Sequence, residues 1–373
     1  MIPKDEIDET LGIYDKENIT VGTLCSHSAL NIFYGAKQEG FKTLGICQKE
    51  RVPYYSSFSA AKPDIFPPDI PAIEDPRDML EPKFQEILRE HNTIVIPTGS
   101  FVAYVGPRNL EEEFLVPVQG NRKVLEWEGN RKKQIQWLKT SGVKIPKEFE
   151  EPEDIARLSI TKFYGAKGGQ GFFLAESEKD FKKEIKDRNI DTEKTKLVIQ
   201  EYVLGVRIYP HMHFSPFSEK GLKINDGWLE ILGYDQRMES NIDELHRTGL
   251  TRDQMKRLDI EESFTVVGNR PVIPREKLQI PYLRIGKKIV EASQKLFPPG
   301  MLGAFCPETI CTKDMDIYTF EMSARIVAGT NMWAPMGAPE GWYTWGEPMS
   351  MGRRIGREIK LGIEKDRLEE VVY

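Results

Sequence analysis

A glycine-rich segment between two predicted strands is the sharpest local feature of the sequence. It reads Thr161-Lys162-Phe-Tyr-Gly165-Ala-Lys167-Gly168-Gly169-Gln-Gly171, and an apolar run, 172–175, follows at once. Glycines let backbone N–H groups approach a ligand closely. The strand–loop–strand order fits neither the Walker A loop nor the dinucleotide fingerprint, since both lead into a helix. We therefore predict a β-hairpin flap that closes over a triphosphate, with Lys162 and Lys167 supplying positive charge. A surface hairpin without a ligand is the alternative.

A single glutamate interrupts the apolar strand predicted at 197–203. Glu201 precedes Tyr202 and Val203 near the end of this strand. A carboxylate near the buried end of a strand costs free energy unless something pairs with it. Ribose hydroxyls or an adenine amino group, beside the backbone of Tyr202 and Val203, would serve as partners. The alternative is an edge-strand glutamate that faces solvent.

Two further acids lie on predicted strands at 303–311 and 316–322, which flank a short turn. Glu308 and Glu321 could face each other across this hairpin, and Arg325 follows the second strand. Two carboxylates supply oxygen ligands for a hard cation, and a guanidinium supplies donors for phosphate oxygens. The pattern favours a site for Mg²⁺ and a triphosphate over a cross-strand Glu–Arg pair at the surface.

The histidines are few, and one of them stands where anions bind. His27 follows a predicted strand and precedes a predicted helix, and Ser100 ends a further strand of the same domain. Ligands of open parallel sheets bind at this edge, where helix N-termini favour anions. A capping role for either residue is the alternative. His211 and His213 would share one face of a strand, but no third ligand with suitable spacing accompanies them, so zinc is not predicted.

Regular elements must hold these residues in place, and their order predicts an α/β domain followed by an α+β domain. Strands predicted at 19–24, 41–47 and 93–97 alternate with helices at 28–38 and 78–90. This is the pattern of a small doubly wound domain, here spanning residues 1–118. The elements predicted after residue 118 are helices at 122–140, 177–187, 281–296 and 348–362, with Pro281 opening the third, and strands at 158–163, 171–175, 197–203, 207–214, 228–232, 303–311 and 316–322. The Trp- and Pro-rich segment 331–346 is predicted to be a loop, either core filler or a substrate lid.

Composition excludes several classes of protein. The chain has 373 residues, with 52 Lys plus Arg, 58 Asp plus Glu and a formal net charge of −6. This balance argues against general nucleic-acid binding through a basic surface. We predict no transmembrane helix and no signal peptide. The four cysteines have no CxxC spacing and are too sparse for a disulfide framework, so a reducing cytoplasm is the expected location.

In their order along the chain, these motifs resemble the archaeal formate-dependent 5-formaminoimidazole-4-carboxamide ribonucleotide (FAICAR) synthetases of purine biosynthesis, which are ATP-grasp ligases. The resemblance covers nearly the entire chain. Its segments are Cys25–Ser28, Pro97–Phe101, Gly120–Glu128, Lys162–Gly171, Glu201–Val203, Glu239–Asp243, Gly268-Asn269, Glu321–Arg325 and Gly346–Gly352.

The resemblance implies an ATP-grasp domain at 119–373, with its flap subdomain at about 143–205. It implies an ATP-dependent carbon–nitrogen ligase that joins formate to 5-aminoimidazole-4-carboxamide ribonucleotide (AICAR) through formyl phosphate. Its partners would be small molecules, and a homo-oligomer is expected. The residues implied for AICAR are His27, Ser100 and Asn269; for ATP they are Lys162, Gly165, Lys167, Gly168, Gly169, Gly171, Glu201, Tyr202, Val203 and Glu239; for Mg²⁺ or Mn²⁺ they are Glu308 and Glu321; and Arg325 with Lys162 would act on the transferring phosphoryl group.

Two positions depart from the family pattern. Thr98 stands where a histidine is usual, and Ile326-Val327-Ala328 replaces a segment that usually carries an aspartate at the position of Val327. The alternatives are therefore an ATP-grasp ligase that uses another small acid or amine, and a nucleotide-binding regulator without turnover.

Overall fold

A three-stranded parallel sheet organises the N-terminal part of the chain. The computed structural model describes residues 2–163, 172–192, 195, 197–260 and 263–373. The sheet order is β2-β1-β3, with every residue of β1 buried, as expected of a parallel sheet covered on both faces. Its elements are α1 (Lys4–Ile13), β1 (Thr20–Leu24), α2 (Ala29–Gln38), β2 (Lys42–Ile46), α3 (Val52–Ser56), α4 (Pro82–Glu90) and β3 (Thr93–Val95). The predicted doubly wound pattern is confirmed here, except that the helix predicted from residue 78 begins at Pro82.

The helix predicted at 122–140 is two helices. After α5 (Pro107–Glu112), the chain forms α6 (Lys123–Gly129) and α7 (Arg131–Ser141). Asn130 separates them because its backbone is extended, and its side-chain oxygen accepts hydrogen bonds from the first N–H groups of α7. The C-terminal end of α6 and the N-terminal end of α7 therefore meet at Asn130.

A four-stranded antiparallel sheet comes next in the chain. Its strands are β4 (Glu148–Phe149), β5 (Ser159–Phe163), β6 (Phe172–Ala175) and β7 (Leu197–Glu201), in the order β4-β7-β5-β6. The amphipathic helix α8 (Glu178–Asp187) buries Phe181 against this sheet. The predicted β5–β6 hairpin is confirmed, with Lys162 opposite Phe172.

A larger antiparallel sheet follows, with the order β11-β10-β8-β12-β13 and β9 beside β10. Its elements are β8 (Val206–Ser215), β9 (Leu222–Ile224), β10 (Gly227–Asn241), α9 (Ile242–Thr248), α10 (Arg252–Arg257), β11 (Phe264–Pro271), α11 (Glu276–Leu296), β12 (Gly303–Cys311) and β13 (Ile317–Ser323). The predictions missed β11 and ended β10 at residue 232. Pro281 lies inside α11 rather than at its start, because burial of Leu278 and Tyr282 holds the preceding turn in place.

The C-terminal part returns to the N-terminal sheet. The segment predicted as a loop contains a 3₁₀ turn, Ala328–Trp333, and α12 (Pro339–Trp345), and it leads into α13 (Met351–Glu364). α13 packs closely on α2, and the backbones of Val118 and Tyr373 exchange two hydrogen bonds. A domain boundary at 118/119 stays a prediction, since this packing crosses it. None of the helices in the described parts of the chain has the length and apolar character to cross a membrane.

Two glycines let α2 and α13 approach each other. A Cβ atom on Gly35 would lie 2.0 Å from the backbone nitrogen of Arg353, and one on Gly352 would lie 2.0 Å from the carbonyl oxygen of Asn31. Both distances are far below van der Waals contact, so neither position can carry a side chain unless the helices separate.

We predict that Gly35→Ala lowers the free energy of unfolding by roughly 1–3 kcal/mol, because overpacking forces the helices apart. Gly12→Ala is the matched control: Gly12 is also helical, but nothing lies within 4 Å of its Cβ position. That control should be neutral or stabilising by about 0.5–1 kcal/mol, the usual advantage of alanine over glycine in a helix. Urea unfolding of the three proteins measures both effects, and equal stabilities for Gly35→Ala and wild type would contradict the packing argument.

Candidate active site

A cavity of about 740 Å³ is lined by both antiparallel sheets, by the junction of α6 and α7, and by His27 at the carboxyl end of β1. Its wall is rich in charge of both signs. The ionisable residues on the wall are His27, Glu128, Arg131, Lys162, Arg207, Asp235, Arg237, Glu239, Glu308, Glu321 and Arg325. The structure therefore gathers predicted site residues from opposite ends of the chain around one space.

One end of the cavity wall is apolar and belongs to the four-stranded sheet. Ile160, Phe172 and Val198 lie there beside Tyr202, one of the residues predicted to hold ATP. Such a surface suits the flat face of a nucleotide base. The predicted ATP residues Gly165, Lys167, Gly168, Gly169 and Gly171 lie outside the described residues, so their role stays a prediction.

Glu201, predicted to bind ATP, carries a partner from the protein itself. Its carboxylate accepts a hydrogen bond from Arg157 at 2.9 Å and one from the backbone N–H of Lys147 at 3.4 Å. The described cavity wall includes Tyr202 but neither Glu201 nor Val203. A contact from Glu201 to a ribose would therefore compete with the Arg157 ion pair.

Lys162 lies on β5 with its ammonium group over the ring of Phe320, 5.5 Å from the ring centroid. Burial and the nearby Arg131 guanidinium lower the pKa of Lys162 to about 8. A lysine with this pKa is cationic near neutral pH but loses its proton within the mildly alkaline range. An anion bound beside it would hold the proton in place.

The two predicted metal ligands face each other as the sequence suggested. Glu308 on β12 pairs in register with Glu321 on β13. Glu308 is buried; its Oε1 accepts hydrogen bonds from Arg237 and, at 3.1 Å, from Ser323, while its Oε2 has no partner among the described residues. The Glu321 side chain is 46% exposed and lies 3.9 Å from Arg131. A buried carboxylate oxygen without a partner is a site that a ligand would stabilise.

Arg325 is held by Glu128, an acid whose side chain is only 8% exposed. Its Nη2 lies 3.0 Å from Oε1 of Glu128, and the other oxygen of Glu128 accepts the N–H of Ala324 at 2.7 Å. Burial raises the pKa of Glu128, and the guanidinium of Arg325 opposes this rise. A Cβ on Gly99 would lie 3.3 Å from Cζ of Arg325 and 3.4 Å from Nε2 of His27. A side chain at this position would require Arg325 or His27 to shift by a few tenths of an ångström.

His27 is neutral at ordinary pH. Burial and the positive charge of Arg325 lower the pKa of His27 to about 4. Its Nδ1 lies 3.0 Å from the Ser28 hydroxyl, which leaves Nε2 for the cavity side. Ser28 occupies the N-cap position of α2. Ser100, predicted beside His27, lies in the turn after Gly99 but not on the described wall of the cavity.

The remaining predicted residues lie on β10 and β11. Glu239 pairs with Arg207 through a short hydrogen bond, and Asn269 donates to Asp235 at 2.6 Å. His211 also hydrogen-bonds to Asp235. In the described parts of the chain, no group of three or more His, Cys, Asp or Glu side chains could hold a metal ion.

Sequence reasoning gave no role to five charged residues of the described cavity wall: Glu128, Arg131, Arg207, Asp235 and Arg237. Two of them had a signal. Asp235, Arg237 and Glu239 alternate along β10, as side chains on one face of a strand do. Extending the predicted strand beyond residue 232 would have revealed this charged face.

Comparisons with known proteins agree over the whole chain. Residues 21–149 match the family "Protein of unknown function (DUF1246)", and residues 176–373 match "Domain of unknown function (DUF1297)". The 5-formaminoimidazole-4-carboxamide-1-(beta)-D-ribofuranosyl 5'-monophosphate synthetase of Korarchaeum cryptofilum is 45% identical, and that of Methanocaldococcus jannaschii is 41% identical, with 100% of both chains covered in each case.

Solved structures also include proteins similar to this chain. The IMP biosynthesis protein PurP from Thermococcus kodakaraensis is 30% identical with a TM-score of 0.71, covering 95% of this chain and 100% of that one. An N5-carboxyaminoimidazole ribonucleotide synthetase solved with ADP is 15% identical with a TM-score of 0.60, covering 93% of this chain and 77% of that one, and this likeness shows the fold alone.

The fold and the charged cavity between its sheets define an ATP-grasp enzyme, which confirms the predicted fold class. Within that class, the chain belongs to the family of archaeal FAICAR synthetases.

We predict that the affinity for a non-hydrolysable ATP analogue falls as pH rises through about 8, because Lys162 then loses the charge that attracts phosphate. The loss should approach roughly 10–150-fold, the usual range for one charge-assisted hydrogen bond. Lys162→Arg is the matched control, since arginine keeps its charge throughout this range. Calorimetric titrations at a series of pH values test this, and parallel profiles for the two proteins would show that Lys162 does not set the dependence.

Proposed function

We propose that the protein joins formate to the amine of AICAR, with cleavage of ATP to ADP and phosphate, and so forms FAICAR. The observation that carries this proposal is the single cavity in which Lys162, Arg325 and the Glu308–Glu321 pair lie on the same wall as His27 and Asn269. The names of the full-length relatives, which refer to this product, support the same substrate pair.

The chemistry requires an activated acid, because formate itself is a poor electrophile. In the proposed sequence, a formate oxygen takes the γ-phosphoryl group of ATP, giving formyl phosphate and ADP. The AICAR amine then attacks the acyl carbon, phosphate leaves, and the amine loses a proton. Positioning and charge neutralisation are the main contributions that a protein makes to phosphoryl transfer. Arg325, oriented by Glu128, would stabilise the charge of the transferring group, and Lys162 would hold the phosphates of ATP.

A divalent cation fits this site. The partnerless Oε2 of Glu308 and the opposed carboxylate of Glu321 are oxygen donors of the kind that Mg²⁺ or Mn²⁺ takes. Since the described residues contain no group of three or more such ligands, phosphate oxygens of the nucleotide would complete the coordination. The ion would supply charge neutralisation at the phosphates. Arg237 and Ser323 hold Glu308 in place from behind.

The acceptor end of the cavity suits a phosphorylated ribonucleotide. His27 presents a neutral imidazole, which can donate a hydrogen bond from Nε2 to a phosphate or a hydroxyl group when Nδ1 accepts from Ser28. Ser100 and Asn269 complete the proposed set for AICAR. Glu239 and Tyr202, with the segment 165–171, would border ATP.

A ligase for another small acid is the second candidate, and Val327 is the observation that favours it. Val327 lies on the cavity wall and also packs with Tyr209 and Cys306 in an apolar cluster. An apolar side chain on this wall would pack against the methyl group of a larger acid such as acetate.

Release of ADP tests the proposed function directly. With ATP and Mg²⁺ present, we expect full-rate release only when formate and AICAR are both added, and background release when either is omitted. FAICAR should appear in equal amount. Rapid release with acetate in place of formate would favour the second candidate, and release that ignores AICAR would contradict the acceptor assignment. A protein that binds ATP without releasing ADP under any condition would be the regulator.

We predict that His27→Ala raises the KM for AICAR by roughly 10–150-fold, the usual range for one hydrogen bond to a charged group, while the KM for ATP changes little. His91→Ala is the control, because His91 caps the C-terminal end of α4 and is absent from the described cavity wall. Steady-state kinetics with each substrate varied, together with melting temperatures, separates binding from stability. Equal shifts of both KM values would mean that His27 does not contact the acceptor.

A further inference from the structure

Asp235 joins three adjacent strands of the large sheet through its side chain. It lies on β10, where it is nearly fully buried, and its two oxygens take different partners. Oδ1 lies 2.8 Å from Nε2 of His211 on β8, and Oδ2 accepts a hydrogen bond at 2.6 Å from Nδ2 of Asn269 on β11. Asn269 and Asp235 line the cavity, whereas His211 is completely buried behind them.

The surrounding backbone encloses this carboxylate. The register between β8 and β10 shifts between Ile231 and Tyr234, and Gly233 there has a φ of +112°. Such an irregularity turns the strand that follows it and so re-aims its side chains. On the other side, a Cβ on Gly329 would lie 2.4 Å from the carboxyl carbon of Asp235. The backbone of the 3₁₀ turn therefore covers the group so closely that it has little freedom to rotate.

The charge of Asp235 fixes which way the amide of Asn269 points. An ionised carboxylate only accepts hydrogen bonds, so the amide atom facing it must be the NH₂ group. The carbonyl oxygen Oδ1 of Asn269 is thereby directed away from Asp235, on a residue that lines the cavity. His211 supplies the second donor, without which one oxygen of a buried carboxylate would lack a partner.

We propose that His211 and Asp235 are positioning residues that hold Asn269 with its carbonyl oxygen toward the acceptor, so that the site selects an acceptor with an N–H or O–H donor at that point. The inference rests on the proposed function, because it places the acceptor beside Asn269. A carboxamide, an exocyclic amine or a ribose hydroxyl is the class of group recognised. Neither positioning residue needs to touch the substrate.

Substitutions at His211 separate positioning from packing. His211→Leu removes the N–H group that hydrogen-bonds to Asp235. Asp235→Asn replaces a carboxylate that pairs with both His211 and Asn269 by an amide that has only one acceptor oxygen. Both should raise the KM for AICAR by roughly 2–13-fold, the range for one hydrogen bond between neutral groups, with the KM for ATP close to that of wild type. His211→Gln should restore most of the loss, since its side-chain N–H reaches about as far as Nε2. The shorter His211→Asn should not.

His213→Leu is the matched control. His213 lies two residues further along β8 and is equally buried, it has no ring-nitrogen partner among the described residues, and it is absent from the described cavity wall. It should change the melting temperature without changing the KM for AICAR. The Gln and Asn variants of His211 retain polarity, so this pair decides the question even where His211→Leu does not fold.

The outcomes are distinct for the two proposals. A wild-type protein that releases no ADP with AICAR and formate would overturn the proposed function, and this inference with it. Suppose instead that the wild-type protein turns over AICAR and that the His211→Asn and Asp235→Asn variants have the same KM for AICAR as the wild type. This result would overturn the inference alone. In that case His211 and Asp235 would serve stability only.

Discussion

The contact between α2 and α13 is the constraint on which the site depends. At Gly35 and Gly352 the two helices come together with no room for a side chain on either. This contact holds the C-terminal part of the chain against the parallel sheet, where Thr98 and Ile326 form a parallel bridge. Thr98 lies in the turn after β3, and Ile326 directly follows Arg325 in the sequence. Helix packing remote from the cavity thus determines where His27 and Arg325 meet.

Charge balance is the second feature of the cavity. Most carboxylates of its wall already have a cationic partner, as Glu128 has Arg325 and Glu239 has Arg207. Pairing allows acids and bases to be buried together at moderate cost, whereas either alone would be expensive. A polyphosphate entering such a site would compete with these acids for their cations. Binding is then an exchange of ion pairs, in which a divalent cation would compensate the displaced carboxylates.

The sequence was most informative where structure depends on local patterns. β1, α2 and β2 follow from short apolar runs and helical spacing, and the Glu308–Glu321 pair follows from two strands around a turn. Prediction failed where tertiary contacts decide. Asn130 looks like one more polar residue of a helix, yet its side chain caps α7 and ends α6. β11 was missed for another reason: its β-prone run Phe264-Thr-Val-Val267 is short, and the strand lies half-exposed at the edge of the sheet.

The residues of the candidate site likewise divide into those that a local sequence pattern identifies and those that it does not. Residues in compact motifs, such as Lys162 and Arg325, could be singled out from their neighbours in sequence. Arg131 and Arg207 act through partners distant in the chain, and no local pattern identifies such partners. His211 illustrates the limit: its spacing with His213 places both on one face of a strand, but only the structure shows that its partner is an aspartate on the neighbouring strand.

The pairing of Val118 with Tyr373 bears on how the chain is made in the cell. Ile32 and Ala36 of α2 share one apolar cluster with Ile355 and Ile359 of α13. A ribosome synthesises the N-terminal sheet first, yet the helix that covers this face of α2 emerges only after both antiparallel sheets. The early part of the protein must therefore wait with an uncovered apolar surface throughout most of its own translation. Folding of this chain cannot proceed strictly from one end to the other, because α2 is covered only by a helix that follows both antiparallel sheets in the sequence.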